Sequence, residues 1–186
     1  VQTFRDTYTA APGDMKNATA YWGRTSTAVS CVTNSSAAVA APGTCDGNGD
    51  ESLNNISSGA STSQESFQLW NHLALAGLIE GSYSGFVGSG STVEGIIGTN
   101  IPGSRITNGA WFAWNWLANG GSASLFYQGA NYYNGLAIGG SNRPTWPSAA
   151  LFKPEEAWNI DTKLDDGKPG AGRIIAMYWD NSSGTG

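Results

Sequence analysis

Apolar residues in this chain follow more than one rhythm. Over residues 61–81, STSQESFQLWNHLALAGLIEG, Phe67, Trp70, Leu73, Ala74 and Leu78 recur at the spacing of one helical face. Thr62 and Glu65 fit a capping box at its start, and Gly77 and Gly81 mark its end. At the beginning of the chain Phe4 and Tyr8 lie one turn apart, with no capping residue before them, and Pro12-Gly13 stop the pattern. Asp14 stands where it can cap a short second helix over 14–22, which Gly23 ends. The period then changes to two. AWFAWNWLA (110–118) and ASLFYQ (123–128), joined by NGGS, predict a hairpin, and YYNGLAI (132–138) a third strand. In the first of these Trp114 and Trp116 share one face and Trp111 takes the other. A last helix starts at Pro154, with Glu155 and Glu156 in its first turn, and ends at Asp165-Asp166-Gly167. RIIAMYW (173–179) reads as the final strand, and 24–61 and 140–150 as loop. Helices around antiparallel strands define an α+β domain, and 186 residues suit a single one spanning 1–186.

Composition sharpens this picture. Only 12% of residues are charged, so the surface is built largely from Gly, Ser, Thr and Asn, while eight Trp, seven Tyr and six Phe supply core material. A net charge of -5 and the lack of a Lys/Arg run argue against a nucleic-acid partner held through phosphate contacts. Cys31 and Cys45 have one histidine, His72, as company, too few ligands for a zinc site. A disulfide is the preferred reading, implying an oxidising compartment and about 3 kcal/mol of loop-closure stabilisation. His72 itself reads as a surface or satisfied core histidine rather than a ligand. No stretch reaches the 18 apolar residues that a membrane span needs.

The chain has no G-x-S-x-G elbow and no phosphate-binding loop, and a single histidine leaves little room for a Ser-His-Asp site, so the reading is that it is not an enzyme. Charge instead gathers in one place: Lys153 to Arg173 hold nine of the 23 Asp, Glu, Lys and Arg residues. Within it Asp161, Asp165 and Asp166 are candidate ligands for calcium, a hard cation that takes six to eight oxygens. CDGNGDES offers a second set, Asp46, Asn48 and Asp50, alternating as at the start of an EF-hand loop, but with Glu51 in place of the turn glycine and Ser57 in place of the bidentate glutamate. Both sets also have a structural reading, which is preferred: hydrogen-bonded turns, with nearby lysines neutralising the second. On that reading Asp161→Ala is expected to destabilise the domain. Trp111, Trp114, Trp116, Tyr132, Tyr133 and Trp146 are candidates for a binding face, since aromatic rings stack on sugars; core is the plainer role for most of them.

Three stretches together, FRDTYTAAPGDMKNATAYWG (4–23), WNHLALAGLIEG (70–81) and IDTKLDDGKPGAGRI (160–174), resemble bacterial type IV pilin-like proteins, the group that includes pilins and type II secretion pseudopilins. Residues 24–61 and 82–150 lie outside the resemblance. It implies a pilin-like fold, an N-terminal helix packed on an antiparallel sheet, with residues 1–10 as the C-terminal half of a longer apolar helix that is missing here. It also implies a leader peptide, a methylated first residue, anchoring in the inner membrane through that helix, and assembly with copies of itself and other pilin-like subunits into a surface filament. A secreted carbohydrate-binding or adhesion module acting on surface glycans is the alternative.

Overall fold

A computed structural model describes residues 1–26, 36–53, 65–86, 94–114 and 134–176. In order they form α1 (Gln2–Tyr8), α2 (Ala18–Trp22), α3 (Glu65–Leu75), β1 (Gly109–Trp114), β2 (Gly135–Gly140) and α4 (Pro154–Leu164), a mixed α+β arrangement. None of these helices is long and apolar enough to cross a membrane.

The centre of the fold is α3. Every residue from Glu65 to Leu73 is buried, polar as well as apolar. Phe67, Leu69, Trp70 and Leu73 supply the core, and loops satisfy several of the polar positions. Thr44 Oγ1 donates to Gln68 Oε1 at 2.9 Å, Gln68 Nε2 donates to the Gly85 carbonyl at 3.0 Å, and Asn71 Nδ2 donates to the Tyr83 carbonyl at 2.7 Å. A helix sheathed on all sides lets one element organise the loops around it. Thr62, the expected capping residue, lies outside the described residues, and Glu65 Oε1 accepts the Asn48 N–H at 2.9 Å.

β1 pairs antiparallel with β2, with Trp111 opposite Ile138 and Phe112 opposite Ala137. The expected partner, 123–128, lies outside the described residues; the pairing found is with the second half of the expected third strand. Alternation along β1 turns Phe112 inward and leaves Trp111 39% exposed. Phe112 meets Trp146 at a ring separation of 5.7 Å, and Trp146 stacks on Phe67 at 5.0 Å, joining α3 to the sheet through one ring. Trp146 is thus a core residue and is removed from the candidate binding face. Of the two roles open to it in sequence, core or binding face, tertiary packing selects the core.

α3 is the helix that lies on the sheet, whereas Phe4 of α1 is buried among Tyr8, Trp22 and His72. α1 ends at Tyr8, with Thr9 in the left-handed region. α2 starts at Ala18 rather than at 14, because Asp14 does not cap it. Asp46 does so from a distance, its two oxygens accepting Thr19 N–H at 2.8 Å and Thr19 Oγ1–H at 2.9 Å. Of the final expected strand, residues 173–176 are in no ladder and the rest lie outside the described residues.

Candidate cation sites and an aromatic groove

Two groups of carboxylates bring their oxygens together, Asp14–Asp50–Glu65 and Asp161–Asp165–Asp166; within each, one oxygen per residue lies within 4.8 Å of the others. Both are in principle able to hold a divalent ion. Their surroundings differ.

In the first group, Asp14 accepts the Gly49 N–H at 2.5 Å through Oδ1 and the Glu51 N–H at 2.7 Å through Oδ2. Glu65 takes the Asn48 N–H, and Asp50 closes an Asx turn with Asn48 and Ser52. Burial raises the Asp14 pKa, and the bonds from Glu51 and Gly49 oppose it. These carboxylates act as a clamp for residues 47–53. Asp46 and Asn48 of the expected EF-hand-like set do not join them, since Asp46 turns to Thr19 and Asn48 bonds within the turn. Asp14 and Glu65, the two buried members, escaped the sequence reading because each looked like a local helix cap.

The clamp rests on His72. Fully buried, its Nδ1 accepts the Gly13 N–H at 2.9 Å, which puts the proton on Nε2, and Nε2–H donates to the Cys45 carbonyl at 3.2 Å. Burial lowers its pKa from 6.5 to about 4. It is the satisfied core histidine expected. Gly13 has φ +93°, and a Cβ there would stand 2.4 Å from the Glu65 carbonyl oxygen, so no side chain fits between the chain and α3. Cys45 is buried and disulfide-bonded; the other cysteine of the chain, Cys31, lies outside the described residues.

The second group sits where α4 ends. Glu156 Oε2 accepts the Lys153 N–H at 2.9 Å at the helix start, and the Asp165 N–H closes the last turn on the Asp161 carbonyl at 2.7 Å. Asp165 Oδ2 then accepts the N–H groups of Ile174 (2.9 Å) and Arg173, and Asp166 Oδ1 accepts the Lys168 N–H at 2.9 Å. Those two backbone bonds, from Ile174 first, and a weaker attraction from the Arg173 charge hold the Asp165 pKa below its usual range. Gly172, at φ +76°, has the Asp165 carboxylate where a Cβ would be, which explains the glycine. Asp161 differs from its neighbours. It is 4% exposed, the one buried residue of α4, and its Oδ1 is buried with no hydrogen-bond partner.

A groove of about 360 Å³ is lined by Trp70, Ile79, Glu80, Tyr83, Pro102, Trp111 and Leu136. Trp111 and Leu136 are its exposed rings and branches, and the indole N–H of Trp70 is buried without a partner. Tyr83 donates to the Glu80 carbonyl at 3.3 Å, and burial raises its pKa. Of the aromatic residues singled out in sequence, Trp111 alone is placed here; Trp114 ends β1, and Trp116, Tyr132 and Tyr133 lie outside the described residues. A further carboxylate, Glu94, is 1% exposed and meets Arg143 Nε at 2.5 Å, a pairing across 49 residues that carries no sequence signature. No protein-family model, curated protein or solved structure matches this chain.

Proposed function

We propose that the chain is a pilin-like structural subunit of an extracellular filament of the type IV pilus or pseudopilus kind, without catalytic activity. The observation that carries this reading is the presence of separate exposed apolar surfaces on a chain with few charges. One is α4, where Trp158 (55%), Ile160 (36%) and Leu164 (63%) face solvent, and the other is the groove edge with Trp111 and Leu136. A head-to-tail contact joins two unlike surfaces and grows a filament when the rotation does not close. Low charge lessens repulsion between stacked copies. The α+β architecture and the disulfide-bonded Cys45 accord with such a domain working outside the cell. Its partners are then copies of itself and related subunits, the inner membrane holds it only before assembly, and calcium, common outside cells, is the one cofactor the role invites.

The test is the intact mass and N-terminal sequence of the protein from its own cells, with immunogold labelling of their surface. A start upstream of Val1 with a long apolar helix and a methylated first residue, and label running along filaments, is the expected result. A native start at Val1 after a cleaved secretory signal, with no labelled filaments, refutes the assembly role. The groove, with its exposed Trp111 ring and the unpartnered Trp70 N–H, favours a second reading as a glycan-binding module. Retardation of the protein in polysaccharide gels, abolished by Trp111→Ala, is its signature.

A further inference from the structure

We infer that Asp161, Asp165 and Asp166 form a binding site for one calcium ion, with the buried Asp161 carboxylate as its inner ligand. The inference does not depend on filament assembly. The three carboxylates each bring one oxygen within 4.8 Å of the others, close enough to share one calcium ion with ligands at about 2.4 Å. Asp165 and Asp166 each commit one oxygen to backbone N–H groups of residues 168–174, which fixes their orientation and leaves the other oxygen without a donor. Asp161 commits neither. Its side chain points into the cluster, and its Oδ1 is shut away from solvent with no partner, a costly state for a carboxylate unless a cation answers it. The neighbouring cations do not. Among the described residues Lys163, Lys168 and Arg173 form no ion pair with these carboxylates, and Arg173 offers Asp165 its backbone N–H and a long-range field only.

The arrangement also explains why a helix would bury its acidic residue. Asp161 is the one buried residue of α4, while Trp158, Ile160 and Leu164 are exposed, as are the charged Glu155, Glu156 and Lys163. An ion at Asp161 would tie the last turn of α4 to residues 165–174, and with it the exposed side chains of the helix. Oxygen-only ligands select a hard cation. Magnesium, reluctant to lose water, suits a site built from three carboxylates less well.

Calorimetric titration of the chelator-stripped 186-residue chain with calcium chloride tests this, alongside melting in EDTA and in calcium. One calcium per chain is expected, with Kd about 10⁻⁴–10⁻³ M as in extracellular modules, and at a hundredfold excess over Kd a rise in Tm of about 5 °C. The affinity range, but not the site, assumes an extracellular location. Asp161→Asn should weaken binding at least roughly tenfold while keeping the wild-type circular dichroism in EDTA. Asp166→Asn, exposed and still able to accept the Lys168 N–H, should fold normally and weaken binding a few-fold. No heat and no Tm change at about 100 mM calcium, a hundredfold over the weaker end of that Kd range, overturns the inference. So does calcium binding that survives Asp161→Asn and disappears in Asp14→Asn, which would move the ion to the other cluster. If Asp161→Asn fails to fold, Asp166→Asn decides alone, and unchanged affinity there is a refutation.

Discussion

Asp14–Asp50–Glu65 and Asp161–Asp165–Asp166 each bring three carboxylates together, yet their charge is answered differently. In the first, both oxygens of Asp14 and one of Glu65 receive backbone N–H groups, so the negative charge is answered within the fold. In the second, hydrogen bonds reach the outer two residues and leave the buried one unanswered. Proximity of carboxylates therefore says little by itself. What separates a clamp from a ligand set is whether the buried oxygen already has a donor.

Substitutions should split the two clusters by size and by sign. The largest effect is expected in the first. Asp14→Ala strips the acceptors of the Gly49 and Glu51 N–H groups and should cost about 3 kcal/mol in urea unfolding, equally in calcium and in EDTA. A loss below about 1 kcal/mol would show that the clamp does not hold this loop.

The same region should set the acid limb of stability. The folded-state pKa of His72 is depressed from 6.5 to about 4, so the unfolded chain takes up a proton that the folded chain refuses as pH falls through that window. At about 1.4 kcal/mol per pH unit the loss approaches 3 kcal/mol near pH 4. Asp14 acts with the other sign, because its raised pKa lets the folded state regain a proton first and restores part of that loss. His72→Gln, which does not titrate, should flatten the slope between pH 6.5 and 4; an unchanged slope would assign the acid sensitivity elsewhere.

A smaller and opposite effect is expected in the second cluster. In EDTA, Asp161→Asn removes one of three crowded charges and should stabilise the chain by about 1 kcal/mol, whereas in calcium it should forfeit the wild-type gain. Destabilisation of equal size in both media would make the cluster a second clamp. The smallest effect is that of Trp158→Ser, within about 0.5 kcal/mol in unfolding because the ring is exposed. Its readout is sedimentation: self-association at high concentration should fall if α4 is an assembly surface.

What sequence reveals and conceals divides along the range of the interaction. α3 and the start of α4 are legible, since Phe67, Trp70 and Leu73 carry a helical period and Pro154 with two glutamates is a local start signal. The convergence of Asp161 with Asp165 is legible for the same reason, four residues being one helical turn. Long-range pairings are not. Asp14 sits where a cap belongs, but the Gly49 and Glu51 amides, 35 and 37 residues away, claim it, and Asp46 takes over the capping of α2. β1 finds a partner in β2 across 20 residues, and Trp146 is drawn into the core by Phe67 and Phe112. The partnering of Glu94 with Arg143 and the lining of the groove are likewise products of the tertiary fold.

The shallow anchoring of α4, with Asp161 its one buried residue, has a consequence for how the molecule ages. A helix anchored by an acidic side chain, with no apolar residue fully buried, gains little from the cooperative core around α3, so its opening is a local event with its own low free energy. Residues 154–176 should exchange their amide hydrogens by that local route while the amides of α3 wait for global unfolding. Among the described residues a protease would then find α4 open before α3, and cleavage there would follow the local opening of α4 rather than global unfolding.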